Sequence, residues 1–215
     1  MRLLAHMAKA RGHSLECDMH APGGYKLSQH ATDAALKEKI NKGTWDFVVL
    51  QEQSQLPALG ERWLTDVFSN ATKLCQSIRQ ANPKSQVAFY MTMAKKNGDP
   101  DNAPYVPEVA IYEGMQERLT KSYTTMAQQN NALLIPAGTI WKNVRADKPA
   151  IELYADITHP NMTGTYLVAC AFYAVLFKDT PVGLTHPKQV GTDIATYLQN
   201  MTAREIRPQP VTGNN

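Results

Sequence analysis

The chain has 215 residues, 43% of them hydrophobic and 19% charged, with a formal net charge of +3. That fits one soluble α/β domain with a sizeable core, and the charge is too weak and too dispersed for a nucleic-acid surface. No apolar run approaches the roughly 20 residues of a membrane span; the most apolar, 166–177, reads as a buried helix.

In chain order, the start lacks the long apolar centre of a signal peptide and reads as an amphipathic helix, with apolar positions 3, 4, 7 and 8 and Gly12 as its stop. Residues 15–19 form a short strand, followed by a Pro22-Gly23-Gly24 turn. Ser28 caps a helix to Asn41, ended by Gly43. The continuous apolar run 47–50 predicts a strand buried on both faces. A long helix over 61–81 stops at Asn82-Pro83, and 87–91 is the next buried strand. Residues 95–107 are a loop rich in Gly, Asp, Asn and Pro; 108–130 are helical, 132–136 are a strand, and 139–144 form a short helix. Asn161 caps a helix to Phe177, and a last helix covers 188–204. One domain over 1–206 is expected, with 207–215 a flexible tail. Cys17, Cys75 and Cys170 are too few and too scattered for a metal set or a disulfide framework, and read as small core residues.

Strands alternating with helices predict a parallel sheet covered on both faces, with ligands at the carboxyl ends of the strands. Three loops converge there: 22–25, 51–55 and 156–159. The last is the most informative, because Asp156 stands three residues before His159 in a loop that opens a helix. An Asp that bonds one imidazole nitrogen leaves the other free to move a proton, which is the base half of a Ser-His-Asp site. Gly23-Gly24 is either a tight turn or a backbone donor to an oxyanion. In Gln51-Glu52-Gln53-Ser54, a Gln amide can donate to an oxyanion, and Glu52 can bind a substrate hydroxyl or brace the loop. Ser54 is the one serine on the correct rim, and Glu52 and Ser54 are the substrate-binding candidates. Polar residues at a strand end are also common without any function. No Gly-x-Ser-x-Gly elbow occurs, and the other serines lie in helices, a cap or the opposite rim.

Taken together, these residues resemble the SGNH/GDSL-type hydrolases, and most closely a bacterial branch of exported or carbohydrate-associated proteins. The resemblance runs over about 1–185 and rests on Gly23-Gly24, on 46–54, on Tyr90-Met91-Thr92 with Lys96-Asn97-Gly98-Asp99, on Leu153-Tyr154-x-Asp156-x-x-His159-Pro160, and on Gly164-x-Tyr166-Leu167 with Pro181-Val182-Gly183. It implies a three-layer α/β/α fold of flavodoxin-like order. The activity would be ester hydrolysis, often deacetylation of sugars, without metal or organic cofactor. Asp156 and His159 match the family's acid and base, and Gly24 its glycine oxyanion donor. Gln53 falls where many members carry Asn.

The family's serine follows the first strand in a Gly-Asp/Asn-Ser stretch, and neither is found here. Either the polypeptide begins upstream of Met1, with any export signal there, or this is a shortened form. Without its central strand the sheet is expected to expose ladder edges, inviting rearrangement or self-association, and without its serine the chain is expected to be inactive. The rival reading is a non-catalytic module that binds a glycan or acyl ligand. A weaker one, metal-assisted hydrolysis by His159, Asp156 and Glu52, lacks a second His at ligand spacing.

Overall fold

The computed structural model describes residues 1–206; the tail expected at 207–215 lies outside the described residues. Three strands, β1 (Phe47–Leu50), β2 (Gln86–Tyr90) and β3 (Leu133–Ile135), form one parallel sheet in the order β1-β2-β3. The register runs Phe47 with Gln86 through Leu50 with Phe89, then Ala88 with Leu133 through Tyr90 with Ile135. Eight α-helices are described: α1 (Arg2–Ala10), α2 (Leu27–Thr32), α3 (Ala34–Asn41), α4 (Glu61–Ala81), α5 (Tyr112–Gln129), α6 (Ala137–Asp147), α7 (Met162–Phe177) and α8 (Thr192–Glu205). No helix among the described residues is long and apolar enough to cross a membrane.

Each parallel connection carries a helix, so helices cover the sheet and complete an α/β/α arrangement. α4 packs on α2, α3 and α5, whereas α7 packs on β3, α1, α6 and α8. Contact on so many sides explains why α7 is apolar almost all round, with Tyr166, Leu167, Cys170, Ala171 and Tyr173 buried. Side chains alternate across β2: Phe89 is fully buried, and Tyr90 meets Phe172 of α7 edge-on at 5.1 Å.

Several local expectations change. Residues 15–19 form no strand; the segment has no ladder partner and is mostly exposed. A short apolar stretch is a strand only if a neighbour offers its backbone groups, and no strand lies beside it. The single helix expected over 28–41 is two, because Asp33 takes an extended conformation and accepts the Leu36 N–H, ending α2 and capping α3. Ser28 is therefore not a cap; it lies inside α2. The helix of 108–130 begins as a 3-10 turn, Pro107–Ala110, before α5. α6 is longer than expected, and the last helix starts later. Asn161 does cap α7, its Oδ1 accepting the Gly164 N–H at 2.9 Å. Cys75 and Cys170 are buried, and burial pushes their thiols up to about 11 and about 12; Cys17 is exposed and so is not a core residue.

The strand expected to be buried on both faces is an edge. β1 pairs only with β2, and Phe47, Val48 and Val49 are only half-buried, whereas Val87, Ala88 and Phe89 in β2 are buried. Residues 1–12 do not fill the gap, since they form α1 and its terminating turn. Among the described residues no strand takes the place that the sequence resemblance gives to a central one.

Candidate active site

The carboxyl ends of β1 and β2 open into the two loops that matter, Gln51–Gln55 and Met91–Asp99, and the Leu153–Pro160 loop reaches the same rim through hydrogen bonds. That loop is built by its own backbone. Tyr154 and Pro160 form an antiparallel bridge, Ala155 N–H donates to His159 O at 2.8 Å, and Asn161 N–H donates to Leu153 O at 2.9 Å. Two anchors fix it to the strand ends. The Tyr154 hydroxyl donates to Ala94 O at 2.7 Å, and Lys96 N–H donates to Ile157 O at 2.8 Å.

Within this loop the expected dyad is formed. His159 Nδ1 lies 2.8 Å from Asp156 Oδ2, while Asp156 Oδ1 accepts the N–H groups of Thr158 at 2.6 Å and His159 at 2.7 Å. These bonds, led by that from the His159 N–H, hold the Asp156 carboxyl well below the usual carboxylate range. An ionised carboxylate can only accept, so Nδ1 must carry a proton, and in the neutral imidazole the lone pair is then on Nε2. The His159 side chain is 76% exposed, so Nε2 faces open space as a proton acceptor. Among the described residues no serine hydroxyl bonds to it; those of Ser77, Ser85 and Ser122 are engaged with the carbonyls of Lys73, Trp45 and Pro57.

The segments that carry the two oxyanion candidates are joined through Glu52. Glu52 is 2% exposed, and its Oε1 accepts both Leu27 N–H at 3.1 Å and Gln53 N–H at 2.7 Å. One carboxylate oxygen thus ties the Gly23–Leu27 segment to the end of β1. Of the two roles open to Glu52 in the sequence, this contact is the brace. Gly24 sits in an exposed turn at φ +72°, a backbone conformation that favours glycine, with open space where a Cβ would be. Gln53 Oε1 accepts the N–H groups of Gln55 and Leu56, and its Nε2 donates one proton to Gln55 Oε1 at 2.8 Å. An amide nitrogen has two protons, so one is left for a ligand. Ser54 is half-buried in this turn and takes no part in the network.

Asp99 was not singled out chemically by sequence reasoning, yet it joins the loops. It is fully buried and accepts from Lys95 Nζ at 2.8 Å, Asn102 Nδ2 at 2.8 Å and Gln55 Nε2 at 2.9 Å. The only sequence signal is the i, i+4 spacing of Lys95 and Asp99. Polar contacts thus run from the dyad loop through Lys95–Asp99 to Gln55, Gln53, Glu52 and the Gly24 segment. Among the described residues no group of three or more His, Cys, Asp or Glu side chains converges as a metal set.

Burial raises the Glu52 carboxyl, against the opposing pull of the Gln53 and Leu27 N–H groups. A carboxyl raised in the folded state favours folding most below its unfolded pKa and loses that contribution as pH rises through the folded value. Glu52→Gln keeps an acceptor oxygen and removes the buried charge. Its thermal midpoint should therefore gain on the parent as pH rises from the ordinary carboxyl range towards neutrality. Glu52→Ala, which strands two backbone N–H groups, should cost about 2–4 kcal/mol. Thermal melts across that pH range check both expectations.

No protein-family profile and no curated protein matches the sequence. Solved structures do match. A DUF4886 family protein from Bacteroides uniformis superposes with a TM-score of 0.76 at 15% identity, over 94% of this chain and 87% of that one. A candidate SGNH hydrolase from Slackia heliotrinireducens gives 0.63 at 26% identity, over 79% and 88%. An acetyl-xylooligosaccharide esterase from Geobacillus Stearmophilus gives 0.56 at 14% identity, over 79% and 77%. The chain has the SGNH-type hydrolase fold.

Proposed function

We propose that, on this SGNH-type fold, the chain is the scaffold of a serine ester hydrolase acting on an O-acetylated carbohydrate. The observation that carries the reading is the Asp156–His159 pair, whose geometry leaves Nε2 as a free base at the rim of the sheet. The choice of an acetylated sugar draws on the likeness to the acetyl-xylooligosaccharide esterase.

The nucleophile is proposed to come on a parallel strand of the same polypeptide that pairs with the open edge of β1. Two features of the molecule support such a slot. Among the described residues the half-buried, apolar β1 edge has no second partner, and Val168, Phe172 and Val175 make a half-buried i, i+4, i+7 stripe along α7. A parallel strand there would end at the same rim as Leu50. Its serine oxygen would attack the acetyl carbonyl while His159 Nε2 takes the hydroxyl proton. The Gly24 N–H and the second Gln53 amide proton would hold the oxyanion. His159 would return the proton to the leaving sugar hydroxyl, leaving an acetyl-serine. Water activated by the same Nε2 would then release acetate and restore the serine.

The test compares p-nitrophenyl acetate hydrolysis by the chain alone and by a form carrying any residues its gene encodes ahead of Met1, or a grafted apolar strand ending in Gly-Asn-Ser. Turnover confined to the extended form supports the reading. A folded extended form without turnover defeats it and favours a binding module for a glycan or acyl ligand, the alternative suggested by the absence of a serine bonded to His159 among the described residues. The open edge is also proposed to pair two copies of the shorter chain, which sedimentation at rising concentration would reveal.

A further inference from the structure

Gln53 is useful to an oxyanion only if its N–H₂, rather than its carbonyl, is the group left for a ligand. The two ends of a glutamine amide are alike in shape, so the hydrogen-bond network decides which is which. Asp99, unlike the amide side chains between it and Gln53, has no such ambiguity. It is an ionised carboxylate, because the hydrogen bonds from Lys95, Asn102 and Gln55 outweigh the burial that would otherwise raise it. It can only accept. Gln55 must therefore turn its Nε2 to Asp99 Oδ2, at 2.9 Å, and its Oε1 to Gln53. Gln53 must answer with Nε2, which puts its Oε1 on the N–H groups of Gln55 and Leu56, and both those bonds are made. The backbone donors and the carboxylate demand the same orientation from opposite ends.

We propose that Asp99, through Gln55, is a positioning residue that sets the polarity of the Gln53 amide, so that a proton donor and not an acceptor is offered at the candidate oxyanion site. This rests on the esterase reading for its purpose, but not for its test. Lys95 Nζ holds Asp99 Oδ1 from the other side, and Lys96 N–H binds the dyad loop. The same short loop therefore anchors the base and orients the oxyanion amide.

The experiment follows hydrogen exchange and chemical shift of the Gln53 side-chain N–H₂ by ¹H–¹⁵N NMR, in the chain as it stands. In Asp99→Asn the charged Lys95 keeps the one remaining side-chain oxygen, because charge-assisted bonds are the stronger. A donor then faces Gln55, and Gln53 loses its fixed partner. Exchange of the Gln53 amide protons should rise about five- to tenfold, as expected on losing one ordinary hydrogen bond. The charge-conserving double variant Asp99→Asn with Gln55→Glu puts an acceptor back opposite both the new side-chain N–H₂ at position 99 and Gln53, and should restore the parental exchange and shift. Gln55→Leu cuts the link while leaving Asp99 with Lys95 and Asn102, and should raise Gln53 exchange even where Asp99→Asn does not fold. Unchanged Gln53 exchange in Gln55→Leu, or a folded double variant that does not restore it, would overturn the proposal. No substrate is involved, so a failure to hydrolyse p-nitrophenyl acetate would sink the esterase reading alone.

Discussion

Replacing Asp156 with asparagine is expected to leave the Leu153–Pro160 loop folded and to remove the base. The asparagine oxygen can keep the Thr158 and His159 N–H groups that Asp156 Oδ1 now holds. Its N–H₂ then faces His159 Nδ1, 2.8 Å away in the parent. A donor there forces Nδ1 to become the acceptor and moves the imidazole proton to Nε2, the atom that must take the nucleophile's proton. In a nucleophile-bearing form, kcat should fall about 10²–10⁴-fold with KM little changed. His159→Ala should fall at least as far, leaving the residual rate that binding and the oxyanion donors supply. Imidazole ¹⁵N shifts report the tautomer directly, so the chain as it stands can be tested as well. A parental tautomer in Asp156→Asn would show that something other than Asp156 sets it.

Gly164→Ala should be among the most damaging small substitutions in the fold, and the one that bears directly on the dyad loop. A Cβ at this position would lie 2.3 Å from Leu153 O and 2.4 Å from Trp141 Cη2. Neither neighbour can yield easily. Leu153 O accepts Asn161 N–H at 2.9 Å, and Trp141 is fully buried, with its ring edge-on to Tyr154 at 4.8 Å. The start of α7 must therefore move, taking the Asn161 cap and the end of the dyad loop with it. A loss of about 3 kcal/mol is expected, or a fall in thermal midpoint of about 6–12 °C for a chain of this size. Gly191→Ala, where a Cβ would meet nothing within 4 Å, is the control and should cost about 1 kcal/mol at most, through the start of α8. Equal melting of the two variants would refute the packing argument.

The strands at 47–50, 86–90 and 133–135 were legible as apolar runs, although only the central one, 86–90, is largely buried and the other two are half-buried edges. The dyad was legible for a different reason: both partners and the helix cap lie within a few residues, so spacing carries the geometry. What local pattern could not supply is partnership. Residues 15–19 look like a strand, yet a strand exists only beside another, and the missing neighbour is not a local property. The break at Asp33 also escaped notice, because an Asp that caps the following helix can sit inside what reads as one continuous helix. Gln55 and Asp99 stand 44 positions apart. Their bond depends on how two loops meet above the sheet, which no periodicity encodes.

That difference in sequence separation has a kinetic side. Asp156 and His159 are three positions apart, so bringing them together closes a very short loop at little entropic cost, and the pair can form as soon as its own turn does. The Gln55–Asp99 contact must wait until β1 and β2 are paired and their loops docked. During folding the proton acceptor should therefore appear before the groups that would receive the oxyanion. During gentle unfolding the order should reverse, and the imidazole should keep its partner after the amide has lost its orientation.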